Sequence, residues 1–501
     1  MSFLSTSLGK QATGRDSQAP TSPTGSAAHS GLVRRPVCIV RTLLLLAAVV
    51  LLPGALFPAR SIGIQRLSPD TLPAAVSREL FAAELPRADA GSWPMYGHDP
   101  ARTNFNPDET ALTSDNISRL APLWQFNTGI GVSPTSSGPI VAGGRVYVGS
   151  SETSGPNFYA LDAATGTQDW SATLGQTPTC FNVGIGATAA VAGGVVVSGG
   201  TDPAYYGLDA TTGKLLWRHA LDAGASAFAW ASPLIVGGRA FIGVASGCDK
   251  PSIRGQVQAI SLTDGSTLAA EAFVPAGKAG AGVWNSPALS PDGKTLAVST
   301  GEDFAGYNGP FNRALVTLDP AGLAVRQANQ QGPTGGDRDF ATTPIIFHDS
   351  QGRAMVAAAH KDENFYAYAL DNVGAGPLWQ LHTGVIVGMM PAYDPTIGRG
   401  GTLFFLDGMG DLHGVDPDTG EDRWNPTHAG SARSNMALAG GMVFLNTGSD
   451  GLVVLSEATG EVLATYHPEH SGKSYSGVAV SRGTVYWLSG GYLNAWRVPA
   501  R

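Results

Sequence analysis

Chemistry in this chain of 501 residues has to come from side chains that are few and scattered. His467 and His470, in the run HPEH, have a spacing that metal ligands use, but they fall on an outer strand or loop and read as surface residues. There are three cysteines. Cys38 lies in an apolar N-terminal run, which leaves Cys180 and Cys248. Two thiols in an oxidising compartment could pair, or they could be two small buried hydrophobes. No C-x-x-C-H occurs, so covalent haem is not expected. Charged residues make up 14% of the chain, against roughly 25% in an average soluble protein. The net charge is −8, and residues 1–60 hold six Lys or Arg against one acid, so the remainder is more acidic still. An acidic body argues against a nucleic-acid partner.

A repeated element must position whatever these residues do. FYALDAATGTQDW runs from Phe158 to Trp170, YYGLDATTGKLLW from Tyr205 to Trp217, and LHGVDPDTGEDRW from Leu412 to Trp424. Each reads as a strand, a tight turn and a second strand ending in Trp. Tyr159 and Leu161 alternate with smaller neighbours, the period of a half-buried strand. Asp162 can accept hydrogen bonds from the backbone N–H groups just ahead. Gly166 supplies the positive φ that a short hairpin loop needs. Trp170 then offers an apolar plate that a single hairpin cannot bury, so neighbouring repeats must cover it.

Weaker copies begin at Val257, Ala314, Ala367 and Leu452, and GYLNAWRV stops at Val498 without a closing strand. That makes eight copies, at intervals of roughly 40 to 60 residues. A hairpin with a small-residue turn precedes nearly every copy, as in PIVAGGRVYVG (Pro139 to Gly149), so each unit holds about four strands. APLWQFNTG, from Ala121 to Gly129, has the Trp-bearing strand but no hairpin before it. Pairing it with the unit that ends at Val498 would close a ring and remove an open edge. The expected fold is all-β: an eight-bladed β-propeller of four-stranded antiparallel blades with tryptophan-docking motifs, over residues 93–501, closed by an N-terminal strand. A linear array or an open sandwich is the plainer alternative.

Residues 1–33 are rich in Ser, Thr, Gly and Ala and read as disordered. Arg34, Arg35 and Arg41 precede an apolar run from Thr42 to Pro58, so 34–60 reads as a signal peptide or a single membrane anchor. Residues 61–92 read as a linker. The expected location is extracytoplasmic: periplasmic, secreted or cell-surface.

The repeats resemble the tryptophan-docking blades of pyrroloquinoline-quinone (PQQ) proteins, and WPMYGHDPARTNFNP (Trp93 to Pro107) resembles the lead-in of that superfamily. The middle of the chain is most similar to quinoprotein alcohol dehydrogenases of the polyvinyl-alcohol-dehydrogenase-like branch. GVWNSPALS resembles the strand whose Trp, here Trp284, forms the floor under the quinone. VSTGEDF puts Glu302 where those enzymes carry a calcium-binding Asn. GDRDFATTPII resembles the segment of the catalytic aspartate, here Asp339. AAAHKDENFYAYAL resembles the strand pair whose Lys or Arg, here Lys361, contacts the quinone. GVASGCDKPSIRGQVQAI resembles the loop with an acidic metal ligand before Arg-Gly, here Asp249. Ser232 would be a further cofactor contact. The resemblance thus implies oxidation of a small-molecule or polymeric alcohol with PQQ and calcium, and electrons passing to an external acceptor.

These roles suit the chemistry. PQQ is a flat tricarboxylate, and it needs an aromatic plate, a cation and a metal that polarises its carbonyl. A carboxylate nearby can take the alcohol proton. The chain also departs from the pattern. The adjacent Cys pair is missing: only Cys180 stands in TPTCFN and only Cys248 before Arg-Gly. FNVGIGATAA lacks the Arg expected to hold a quinone carboxylate. The bland readings are a core Trp284, an Asp339 paired with Arg338, and an exposed hairpin Lys361. They favour the alternative function, a cofactor-free scaffold that binds an envelope protein or polymer.

Overall fold

The computed structural model describes residues 89–129, 137–152, 155–175, 184–221, 224, 226–248, 251–301, 306–334, 337–388, 390–430, 435–447, 451–470 and 472–500. The expected segments 1–33 and 34–60, nearly all of 61–92, and Cys38, Cys180, Asp249 and Glu302 lie outside the described residues.

Eight antiparallel sheets follow one another along the chain as blades. Blade 1 spans 140–172, blade 2 190–220, blade 3 234–272 and blade 4 288–330. Blade 5 spans 345–382, blade 6 392–428 and blade 7 437–466. Blade 8 holds 478–497 and takes its fourth strand from far upstream, Ala121–Asn127, which pairs antiparallel with Tyr492–Arg497. Two-residue strands add to blades 3 and 7. The inner three strands of each blade are almost wholly buried, whereas outer strands alternate, as in Leu215–Ala220 with Trp217 and His219 inward.

The indoles join the blades. Trp170 Nε1 donates to Ala210 O at 3.2 Å, Trp217 to Leu262 O at 2.9 Å and Trp379 to Pro417 O at 3.0 Å. Trp124 Nε1 donates to Ala163 O of blade 1 at 3.1 Å, so blade 8 docks on blade 1 and the ring closes. Each indole lies on a glycine of the next blade's turn. A Cβ on Gly166 would stand 2.6 Å from Trp124, and Gly166 has φ +72°. Asp162 Oδ1 accepts from the N–H groups of Ala164 and Thr165, at 3.1 and 2.8 Å, and holds that turn.

Not every junction has an indole with an acceptor. Blades 3, 4 and 7 carry Ala269, Gln327 and Ala464 where the others carry Trp, and the turn of blade 4 that matches blade 3 replaces glycine with Leu323. That leucine is buried at φ +62°, so an aliphatic side chain fills the space an indole would take. At blade 6, Trp424 lies over Gly460 but its Nε1 has no acceptor. The next turn carries Glu457 where Ala163 and Ala210 stand elsewhere. Glu457 is 1% exposed and neither carboxylate oxygen has a hydrogen-bond partner. Burial first, then the neighbouring Asp394 carboxyl, pushes Glu457 well above the usual carboxylate range.

The segment 93–107 runs under the ring and touches blade after blade. Its backbone pairs with Val141, Val191, Leu289, Ile346, Tyr393 and Leu438, which belong to blades 1, 2, 4, 5, 6 and 7. Asn106 Nδ2 donates to Val480 O of blade 8 at 2.8 Å. Arg102 is fully buried in this segment. Its Nε donates to Pro287 O at 2.8 Å, its guanidinium donates to Tyr96 O, and it also reaches Ser232 O and Pro233 O at 3.3 and 3.4 Å. The segment 93–107 therefore fastens the first strands of the blades to one another.

Candidate active site

Along an inner strand the chain passes first through a ring of hydroxyls and then reaches the 93–107 segment. Gly138 N–H donates to Thr188 Oγ1 at 2.7 Å, Thr188 N–H to Ser232 Oγ at 2.9 Å, Ser232 N–H to Ser286 Oγ at 2.8 Å, and Ser286 N–H to Thr343 Oγ1 at 3.0 Å. These bonds tie blades 1 to 5 near the axis. Residues just before the ring lie on the face opposite Arg102. There the loop entering blade 4 carries Trp284, and the loop entering blade 5 carries Asp339. The turn between Ala354–His360 and Asn364–Ala369 adds Lys361 from the same face.

The backbone clasps these groups together. Phe340 bridges to His360, and Lys361 N–H donates to Asp339 O at 2.9 Å. Ala341 N–H donates to Ala359 O at 2.8 Å, and Ala359 N–H to Thr342 Oγ1 at 2.8 Å. Asn285 Nδ2 donates to Phe340 O at 2.9 Å and fixes the blade 4 loop to the blade 5 loop.

The side chains then converge. Trp284 Nε1 donates to Asp339 Oδ2 at 2.8 Å. Lys361 Nζ stands 2.6 Å from Asp339 Oδ1, as an ion pair and not an aligned hydrogen bond, and 5.3 Å from the centre of the Trp284 ring. A second carboxylate, Asp337, also pairs with Lys361 Nζ. The side chains of Asp339 and Lys361 are 4% and 8% exposed, so water competes little for them. Burial pulls the ammonium down, but Asp339 and Asp337 outweigh it and hold Lys361 above the ordinary lysine range. The floor beside Asp339 is bare backbone: a Cβ on Gly301 would stand 3.5 Å from Oδ2.

Of the residues singled out from sequence, Trp284, Asp339 and Lys361 come together. Asp339 pairs with Lys361, whereas Arg338 is exposed, and Lys361 is not a solvated hairpin lysine. Ser232 belongs to the hydroxyl ring, its Oγ engaged by Thr188 and its N–H by Ser286. Glu302 and Asp249, expected to hold calcium, lie outside the described residues. Cys248 is disulfide-bonded, and the other two cysteines lie outside the described residues. His467 and His470 are exposed, and His470 stacks on Tyr492 at 4.6 Å.

Two residues were not anticipated. Asp337 was legible in GDRD, since acids two apart in an extended stretch share a side. His360 is fully buried beneath the site, edge-on to Phe340 at 4.9 Å, with Nδ1 3.0 Å from Asp362 N. Its neighbour Asp362 accepts from Tyr366 Oη at 2.6 Å.

Eight four-stranded blades in a ring, five of their junctions docked by Trp, define a PQQ-type propeller. The sequence comparisons agree. Residues 93–180 match the family model for the glucose/ethanol/alcohol dehydrogenase β-propeller domain. Residues 178–394 and 366–495, together more than half of the chain, match the model described as outer membrane protein assembly factor BamB. The chain belongs to the PQQ-repeat family of β-propellers.

The chain is 29% identical over 236 residues to the lanthanide-dependent methanol dehydrogenase of Methylacidiphilum fumariolicum, covering 44% of this chain and 34% of that one. It is 24% identical over 327 residues to the polyvinylalcohol dehydrogenase of a Pseudomonas species, covering 56% and 50%. It thus spans between a third and a half of the length of these curated relatives. The fold is shared with the quinohemoprotein alcohol dehydrogenase of Comamonas testosteroni, at TM-score 0.66, 18% identity and 85% coverage of both chains. BamB from Moraxella catarrhalis aligns at TM-score 0.52 and 16% identity, covering 75% of this chain and 99% of that one.

Proposed function

We propose that this protein is an extracytoplasmic quinoprotein dehydrogenase that oxidises an alcohol with PQQ and calcium and passes the electrons to an external acceptor. One observation carries the reading: an aromatic plate, a buried carboxylate and a buried ammonium meet where the loops enter blades 4 and 5. These groups suit a flat polyanion. Trp284 offers a face, its edge held by Asp339 so that the ring cannot swing. Lys361 offers the positive charge that a quinone carboxylate or oxygen needs. Asp249 and Glu302 are the proposed calcium ligands. PQQ, when bound, supplies the acceptor for the hydride that leaves the alcohol carbon.

The chain's own residues handle the proton. Asp339 is the base that takes it from the alcohol hydroxyl. One of its oxygens is held by an indole N–H and the other by an ion pair, and a carboxylate has about four acceptor sites in all. Room remains for a hydroxyl to donate. The dry surroundings strengthen each charge interaction. The proposed N-terminal signal or anchor (34–60), after a disordered 1–33 and before a linker over 61–92, would place the propeller outside the cytoplasm.

A second reading is a cofactor-free scaffold for an envelope protein or polymer. The long match to the BamB model and the missing Cys pair favour it. One experiment separates the two. Purified protein is mixed with PQQ and calcium, desalted, and examined for quinone absorbance and dye-linked alcohol oxidation. The dehydrogenase reading expects retained quinone in the wild type and loss of it in Trp284→Ala. No retained quinone in a folded wild type leaves the scaffold.

A further inference from the structure

The cluster holds one more charge than a base and its cation require. Lys361 is shared between two carboxylates, and the two differ in what surrounds them. The Asp339 side chain is 4% exposed, and the Asp337 side chain is 28% exposed. We infer that Asp337 is a positioning residue that draws the Lys361 ammonium partly away from Asp339 and so keeps Asp339 available as a base. The catalytic half of this rests on the dehydrogenase reading; the sharing of the ammonium does not.

The geometry gives the reason. Lys361 is almost buried, so it cannot shed a carboxylate by turning to water. Its backbone N–H is fixed on Asp339 O at 2.9 Å, which keeps the side chain in reach of that loop. With Asp339 as the sole partner, ammonium and carboxylate would neutralise one another, and a carboxylate so held is a poor proton acceptor. A second carboxylate divides the cation.

The other charged groups in this turn are engaged elsewhere. Asp362 takes a hydrogen bond from Tyr366 Oη at 2.6 Å and lies 3.2 Å from His360 Nδ1. Glu363 faces His382 at 3.8 Å. Across the cluster, Trp284 brings a neutral N–H. The Lys361 ammonium is therefore divided between Asp337 and Asp339.

The test uses the apoprotein first. Lysines are labelled competitively with acetic anhydride over a pH series, and the extent at Lys361 is read by peptide mass spectrometry. Losing one counter-charge frees more unprotonated amine, so Asp337→Asn is expected to label Lys361 severalfold faster than wild type, and Asp337→Glu at the wild-type rate. Near-ultraviolet circular dichroism checks that each variant is folded. In the PQQ-loaded enzyme, Asp337→Asn should lower kcat with little change in KM. It should also move the acid limb of the pH profile to lower pH, because Asp339 then faces the whole ammonium.

Unchanged labelling of Lys361 in folded Asp337→Asn overturns the inference, whether or not quinone binds. An acid limb that stays in place while labelling changes overturns the catalytic half. Faster labelling in a protein that retains no quinone upholds the sharing and rejects the dehydrogenase reading instead.

Discussion

Arg102 and Lys361 are both buried cations, one in the segment under the ring and one among the loops that enter blades 4 and 5, and they are held in opposite ways. Arg102 donates to neutral carbonyls of its own segment and of blades 3 and 4. Burial lowers it to about 10, still far above neutrality. Lys361 is held by two carboxylates that raise it above the ordinary lysine range. Buried backbone carbonyls do not take up a proton at these pH values, whereas carboxylates can, and can also change partners. The first arrangement is a fastening, and the second is a charge poised for a ligand.

Glu457 completes the contrast as a buried titratable group with neither device. It faces the carboxyl of another acid, Asp394.

Three measurements of unfolding by urea sharpen or break this contrast. The largest effect is expected for Arg102→Met. It leaves several buried carbonyls unsatisfied at about 1–3 kcal/mol each, so a loss of roughly 4 kcal/mol or more, flat from pH 5 to 8, should follow. A loss under about 1 kcal/mol would show that the segment under the ring is not a fastening.

Lys361→Met should cost less, about 1–3 kcal/mol at pH 8, and the loss should depend on pH. Without its cation the buried Asp339 carboxylate is left uncompensated, so the loss should be larger at pH 8 than at pH 5. The Lys361 contribution to wild-type stability should be flat there. The folded Lys361 value lies above the unfolded one, so its contribution is complete below about 10.4 and fades only at higher pH. Pronounced wild-type dependence between pH 6 and 8 traced to Lys361 would contradict the two-carboxylate clasp.

Glu457→Gln should have the smallest effect and the opposite sign. A folded value raised above the unfolded one gives stability that is full below the unfolded pKa and declines as pH climbs toward the folded value. The amide, neutral and able to donate to Asp394, should therefore gain about 1 kcal/mol at pH 8 and nothing at pH 4. Destabilisation at both would mean that this carboxyl has a partner.

The ring was legible in the sequence because each blade is local. A strand period, an Asp-led turn, a positive-φ glycine and a Trp are read within about a dozen residues, and Trp124 without its own hairpin pointed to the closing pair. The run under the blades was not legible, since 93–107 has no period and Arg102 finds its carbonyls near residues 232 and 287. The exception at blade 6 was visible only as SEATG in place of DAATG. Trp284, Asp339 and Lys361 came from family likeness. Their mutual distances, and the part of Asp337, depend on a bridge between Phe340 and His360 that no local pattern encodes. Ser232 shows the converse: the bonds that link its hydroxyl to blade 2 and its N–H to blade 4 are not encoded in its own strand.

The closing strand and the segment under the ring also set an order of events. Both leave the ribosome before any blade exists, yet their partners include Val480 and Tyr492–Arg497, among the last residues of the propeller to be made. The earliest stretch of the propeller must wait, unpaired, for the latest. A circular permutant that joined the natural ends and opened the exposed Gly143-Gly144 turn would bring the late partners out first, and it should reach the native ring sooner after synthesis ends.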